Sequence, residues 1–185
     1  MTNANASLVP VLPRNLPGGA TLREARRGDE DEIIGLIQEL AEYEREPAAV
    51  KNNSQMLRET LFGASPSVFA HVIEADGRII GMTVWFINYS TWTGRQGIYL
   101  EDLYVSPAYR GRGYGLALLQ NLARICVERG YTRLNWAVLN WNKPSIDLYD
   151  AIGGHGQTDW TTYVLDGERL HEFASSPGKP TTTAP

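Results

Sequence analysis

Arg110-Gly111-Arg112-Gly113-Tyr114-Gly115 stands between a β-rich run, Gln96 to Val105, and an amphipathic run with helical spacing, Gly113 to about Arg129. Glycines at such a junction let the backbone come close to a ligand. The first turn of the helix offers unpaired N–H groups and the positive end of its dipole to an anion. Arg110 and Arg112 add two guanidinium groups, so a phosphate or diphosphate is the natural guest. A dinucleotide pattern started at Gly111 would need glycine where Leu116 stands, and a Walker loop would need a Lys-Ser or Lys-Thr that does not follow. A tight strand-to-helix connection without any ligand is the plain alternative.

Upstream of this turn, Leu22 begins a short strand. Asp29 with Glu32 has capping-box spacing, and Ile33, Ile37, Leu40 and Ala41 recur as the stripe of a helix with an acidic first turn. Ser54 to Phe62 reads as a second helix stopped by Gly63. Val68 to Glu74 and Arg78 to Ile87 are β-rich runs joined by Asp76-Gly77, a hairpin signal, and Gln96 to Val105 is a third. Downstream, Leu116, Leu119, Ala123, Cys126 and Val127 form the apolar stripe of the helix, which ends at Gly130. Thr132 to Leu139 reads as a strand. Pro144 opens a helix to Ile152 with Gly153-Gly154 as its stop, and Trp160 to Leu165 is expected to close the sheet. The order implies an α/β protein with a mixed, mostly antiparallel central sheet flanked by helices.

The length of 185 residues and the apolar share of 43% suit one packed domain. Residues 1–19 are expected to form a disordered or extended arm, 20–173 the domain, and 174–185 a flexible tail. A net charge of 17 − 21 = −4 argues against a nucleic-acid surface. No stretch approaches the roughly 18 consecutive apolar residues of a membrane span. The single cysteine excludes an internal disulfide framework and points to a cytoplasmic setting. Cys126 lies on a helix stripe as a packing thiol. His71, His155 and His171 lack metal-ligand spacing, so no metal is expected. Trp85, Trp92, Trp136, Trp141 and Trp160 read as core or pocket walls rather than a stacking platform for bases.

Arg110-x-x-Gly113-x-Gly115, following Leu103-Tyr104-Val105 and opening a helix, resembles the acetyl-CoA diphosphate loop of the GCN5-related N-acetyltransferases. Within that superfamily the chain resembles the diamine (spermidine/spermine) acetyltransferases and their thialysine-acetylating relatives. The matching segments are Leu40-Ala41-Glu42-Tyr43-Glu44, Tyr99-Leu100-Glu101-Asp102-Leu103-Tyr104-Val105, Tyr109-Arg110-Gly111 and Trp141-Asn142-Lys143-Pro144-Ser145-Ile146-Asp147-Leu148-Tyr149. The resemblance implies acetyl transfer from acetyl-CoA to a primary amine of a small molecule, a polyamine or a lysine-like amino acid, in a ternary complex. It also implies a homodimer.

Glu101-Asp102 sits inside an otherwise apolar strand, where two carboxylates are costly unless solvated or paired. Strand alternation places them on opposite faces, which argues against a mutual dyad. They are either edge positions facing water or, as the resemblance implies, the pair that binds the amine and receives its proton. An alkyl amine arrives protonated at neutral pH, so a base is needed, and Glu101 is the candidate. By the same resemblance Tyr43, Glu44, Asn135, Trp136 and Ala137 line the amine pocket. Asp159 stands where relatives carry glutamate. A backbone N–H between Leu103 and Val105 is expected to stabilise the carbonyl oxygen as charge develops. Asn142-Lys143-Pro144-Ser145 reads as a helix cap, to which the resemblance adds contact with the CoA arm. Tyr149 is a core aromatic on its own reading and the donor to the leaving thiolate on the resemblance.

Overall fold

Strand pairing begins earlier in the chain than the sequence suggested. The computed structural model describes residues 12–176. Arg14–Asn15 (β1) pairs antiparallel with Thr21–Glu24 (β2), so within the expected arm this segment is extended and tied to the sheet. Residues 1–11 and 177–185 lie outside the described residues. Two compact units divide the chain between Leu139 and Asn140.

The first unit is a six-stranded sheet in the order β1-β2-β3-β4-β5-β6, with three helices. After β2 come α1 (Glu30–Tyr43) and α2 (Ser54–Phe62). Val68–Ala75 (β3), Arg78–Ser90 (β4) and Arg95–Val105 (β5) follow as an antiparallel meander. Tyr114–Glu128 (α3) then crosses over to Leu134–Trp136 (β6), which pairs parallel with β5. The β3–β4 turn carries left-handed φ at both Asp76 (+52°) and Gly77 (+73°), the geometry whose twist matches the flanking strands.

Expectation and structure part at the start of α1. Asp29 occupies the cap position but makes no side-chain capping bond. Its carboxylate is held by Arg23 at 2.6 and 3.0 Å and by the Arg26 N–H at 2.8 Å. Glu32 reaches the Ile79 N–H instead of closing a capping box. A charge-assisted pair to a guanidinium outbids a neutral amide for the same oxygen. α2 does have its cap, Asn53 accepting from the Met56 N–H at 3.0 Å.

Two apolar clusters hold the sheet. One joins Ile33, Leu36, Leu57 and Leu61 of α1 and α2 to Val72, Met82, Val84 and Tyr104. The other joins Tyr114 and Leu118 of α3 to Leu22, Ile73, Ile80 and Val105. The buried face of α3 runs through Tyr114, Ala117, Leu118, Leu119, Asn121, Leu122 and Cys126, so Leu119 and Cys126 of the expected stripe are buried. It is rotated from the expected stripe, since Ala123 and Val127 face outward. Asn121, buried and polar, breaks the apolar periodicity that would have marked this face.

The second unit contains Lys143–Ala151 (α4) and Gly167–Ser175 (α5). Residues 160–165 form no strand there, and α5 was not anticipated. Trp160 is 69% exposed and Trp92, in the first unit, is 87% exposed, so neither is a core residue, whereas Trp85 is fully buried. Among the described residues no helix is long and apolar enough to cross a membrane.

Candidate active site

The central feature is a break in β5. Val84 pairs with Asp102 and Trp85 with Leu100, so Glu101 faces no partner on β4. That is a β-bulge, one extra residue on the bulged strand. The bulge cancels the strict alternation assumed for Glu101 and Asp102. Glu101 is exposed and Asp102 is half-buried, yet the two carboxylates feel each other. Burial, with the negative charges of Glu101 and Glu44 added, raises the Asp102 pKa to about 6. Burial also raises that of Glu44. Three carboxylates from α1 and β5 thus share one acidic surface.

At the same position the sheet opens. β6 pairs with β5 from Ile98↔Leu134 to Leu100↔Trp136, and the pairing ends there. Beyond Leu100, β5 continues through Leu103, Tyr104 and Val105 with β4 on one side only in the ladder. The segment from Leu103 to Val105, expected to offer a backbone N–H, lies past the last β5–β6 pair. On β6, Asn135 pairs with Tyr99 and its Oδ1 accepts from Asn88 at 3.4 Å, Trp136 is half-buried, and Ala137 follows the last paired residue.

The glycine-rich turn follows directly. Gly111 (φ +74°) and Gly113 (φ +80°) are left-handed, and a Cβ on either would meet nothing within 4 Å. The backbone here is therefore bare on a side where a ligand can approach. A Cβ on Gly115 would meet Leu103 at ordinary contact distance, and Leu116 is half-buried beside it on α3. α3, 15 residues long, presents its N-terminus behind the turn. This cradle fits a diphosphate. Arg112 is exposed and stacks on Tyr109 at 5.2 Å.

Arg110 does something the sequence did not suggest. Its Nε donates to the Val105 carbonyl at 2.9 Å, and its guanidinium carbon lies 5.2 Å from the Tyr43 ring centroid and 5.3 Å from that of Tyr104. Ser106 Oγ donates to Glu39 at 3.0 Å beside them. The end of α1, the end of β5 and the start of the turn are thereby tied together, with Tyr43 and Glu44 at one end and the glycines at the other.

In the second unit Asn142 stands at the cap of α4, where its carbonyl accepts from Ile146 at 3.1 Å while its side chain makes no capping bond. Pro144 and Ser145 lie in the first turn. Lys143 pairs with Asp147 one turn on. Tyr149 is half-buried and Asp159 exposed.

A sheet that opens beside a bulge, followed by a glycine turn and a helix N-terminus, sets an anion-binding geometry next to an acidic surface. The chain belongs to the acetyltransferase (GNAT) family, whose pattern matches residues 29–153. It is 39% identical over 164 residues to thialysine N-epsilon-acetyltransferase of Bos taurus, spanning 83% of this chain and 96% of that protein. It is 30% identical over 163 residues to the human spermidine/spermine N(1)-acetyltransferase-like protein 1, covering 23% of that longer protein. Its fold matches that of an integron cassette protein from the mobile metagenome of V. cholerae, with a TM-score of 0.72 at 24% identity over 85% of this chain and 98% of that one. The protein is an acetyltransferase, and enzymes of its family use acetyl-CoA as cosubstrate.

Proposed function

We propose that this enzyme acetylates the side-chain amine of a small cationic molecule, a lysine-like amino acid of the thialysine type first and a polyamine second. The observation that carries this reading is the shared acidic surface of Glu44, Glu101 and Asp102 beside the opening of the sheet. It suits an ammonium-bearing substrate and disfavours an anionic one. The similarity to a thialysine acetyltransferase over nearly its whole length ranks the amino acid first.

In this reading acetyl-CoA supplies the thioester acetyl group and departs as the thiol. Gly111, Arg112, Gly113 and the first N–H groups of α3 hold its diphosphate. Glu101, exposed on the bulge, receives the substrate ammonium. Asp102, with proton affinity raised toward neutrality, is the better placed of the two to keep the proton that must leave before attack. Tyr43 and Asn135, with Trp136 and Ala137, wall the amine site. A backbone N–H on the open side of Leu103–Val105 faces the developing oxyanion. Tyr149, Asn142 to Ser145 and Asp159, all of the second unit, carry roles on the family resemblance alone: donor to the leaving thiolate, contact with the CoA arm and a carboxylate for the amine.

The enzyme works as a homodimer in this reading. Exposed Trp160, Tyr163, Val164 and Phe173 of the second unit are the apolar surface a second copy would cover. Light scattering on the full chain measures that state, and a monomer at micromolar concentration would refute it.

Thiol release with acetyl-CoA and a panel of thialysine, lysine, ornithine, spermidine, putrescine and an aminoglycoside tests the substrate. The largest kcat/KM is expected for thialysine, with Glu101→Gln, Asp102→Asn and Tyr149→Phe each lowering it. No turnover with any amine despite CoA binding would reduce the protein to a binding module. Full activity in both carboxylate variants would dismiss the acidic site.

A further inference from the structure

Residues 12–20 pack against the glycine-rich turn. β1 pairs with β2, and the Leu16 N–H donates to the Ala20 carbonyl at 2.8 Å, closing a tight loop through Pro17-Gly18-Gly19. At the apex of that loop the Pro17 carbonyl accepts a hydrogen bond from the Tyr114 hydroxyl at 2.8 Å, across 97 residues of sequence. Tyr114 is the first residue of α3 and is 2% exposed. Gly18 has φ +76°, and a Cβ there would stand 3.1 Å from the same hydroxyl, so the loop is shaped around the tyrosine. Leu12 and Leu16 pack on the same cluster as Tyr109, which precedes the turn, and Leu103, on the strand before it.

Inside the turn, Arg112 lies over Tyr109 and donates to the Ala108 carbonyl at 3.4 Å, and the Gly113 carbonyl accepts from the Ala117 N–H at 2.9 Å. The Cβ positions of Gly111 and Gly113 are open to within 4 Å, and side chains fix the two ends of the turn. One end is Arg110, bonded to Val105. The other is Tyr114. Convergent N–H donors bind an anion only when their directions are fixed, and a turn that must be ordered on binding loses affinity to that ordering.

We propose that residues 12–20 form a bracket belonging to the coenzyme site, in which the Tyr114–Pro17 hydrogen bond positions the first turn of α3 for the diphosphate. The proposal rests on the reading of residues 110–115 as the acetyl-CoA cradle. Tyr114 is a positioning residue: its hydroxyl is occupied by Pro17, and it acts on the coenzyme through the helix start.

Tyr114→Phe removes one oxygen and keeps the buried ring, so the variant folds. Titration calorimetry with CoA and steady-state kinetics are the readouts. Loss of one neutral hydrogen bond predicts a rise of about 3- to 10-fold in the CoA Kd and in the KM for acetyl-CoA. The kcat at saturating acetyl-CoA is expected to stay within about twofold and the amine KM unchanged, a split that general destabilisation does not produce. Gly18→Ala presses on the same hydroxyl from the other side and is expected to give the same shift. The double variant is then no worse than either single one, since both remove the same contact. CoA binding in Tyr114→Phe equal to that of the parent overturns the bracket. So does a parallel loss in kcat and both KM values that follows the melting temperature. A parent protein that bound no CoA would instead overturn the cradle reading, and the bracket with it.

Discussion

The guanidinium of Arg110 lies over the ring of Tyr43, 5.2 Å from carbon to centroid, joining the residue that opens the coenzyme turn to the residue that ends α1. Tyr104 takes its other contact at 5.3 Å, and the Val105 carbonyl takes its Nε–H. A residue expected only to face phosphate is therefore also a strut toward the acidic surface of Glu44, Glu101 and Asp102, since Glu44 follows Tyr43 directly. Arg110→Lys keeps the charge but loses the planar stacking and the fixed donor. Stability is expected to fall by about 1–2 kcal/mol in urea unfolding. The KM for amine is expected to rise several-fold together with that for acetyl-CoA. A rise for acetyl-CoA alone would mean that the contact with Tyr43 carries nothing to the amine site.

Asp102 sets the expected pH profile. Its raised pKa of about 6 reflects burial first, then the neighbouring charges of Glu101 and Glu44. As a base it works ionised, so kcat/KM for the amine is expected to fall about tenfold per pH unit below 6. Asp102→Asn should remove that limb and lower the rate by roughly 10²–10⁴. Stability moves the other way. The folded state holds this proton up to about pH 6 and the unfolded chain releases it near 3.8, so folding is penalised as pH rises through that window. Asp102→Asn is therefore expected to be more stable than the parent at pH 8, by about 1–3 kcal/mol, and to gain nothing at pH 3.5. Equal urea midpoints at pH 8 would show that Asp102 is solvated like an ordinary surface carboxylate.

Much of this frame was legible because its signals are local. Ser54 to Phe62 is bounded by a capping asparagine and a glycine, and Asp76-Gly77 supplies the only backbone twist that suits a two-residue hairpin. The glycine-rich turn before α3 belongs with them, since left-handed glycines before a helix need no distant partner. What escaped depends on register or on competition. The bulge at Glu101 is a mismatch between β4 and β5, visible only when both strands are aligned, and it reverses the face assignment that alternation gives. The capping box at Asp29 was outbid by Arg23, which lies on a strand whose position the spacing does not reveal. Trp160 to Leu165 is rich in aromatic and β-branched residues like a strand, but composition does not supply an edge to pair with. The short segment around Arg14 read as a disordered or extended arm because its contact with Tyr114, through Pro17, is far away in sequence.

His71 and Trp85 give a stability prediction inside the sheet. The Trp85 Nε1–H donates to His71 Nδ1 at 3.1 Å, and the two rings stack with centroids 5.7 Å apart. Burial pushes the His71 pKa down to about 4, so the imidazole stays neutral with its proton on Nε2. The unfolded chain takes a proton near pH 6.5 that the folded one refuses, so this group withdraws stability as pH falls from 6.5 toward 4. His71→Phe leaves the indole N–H without its acceptor and is expected to cost about 1–3 kcal/mol at pH 7. Its stability should then change less than that of the parent between pH 6.5 and 4. Identical pH dependence in the two proteins would assign the acid sensitivity elsewhere.

Glu30 gives the opposite sign from a different corner. Its carboxylate is 1% exposed and is held by Arg58 of α2 at 2.9 and 3.3 Å and by the Gly28 N–H at 2.8 Å. The Arg58 hydrogen bonds, opposed by burial, hold its pKa down at about 2. A group depressed in this way contributes stability above its ordinary value near 4.5, and that contribution drains away as pH falls toward 2. Glu30→Gln keeps the shape and the acceptor for Gly28 but loses the charge. Its melting temperature is expected below that of the parent at pH 7, with the gap closing between pH 4.5 and 2. Because the pair fastens the start of α1 to α2, while Tyr43 and Glu44 lie at the far end of α1, the amine KM at 25 °C should be unchanged. A gap of constant size across that window would show that Glu30 acts through its shape and not through its charge.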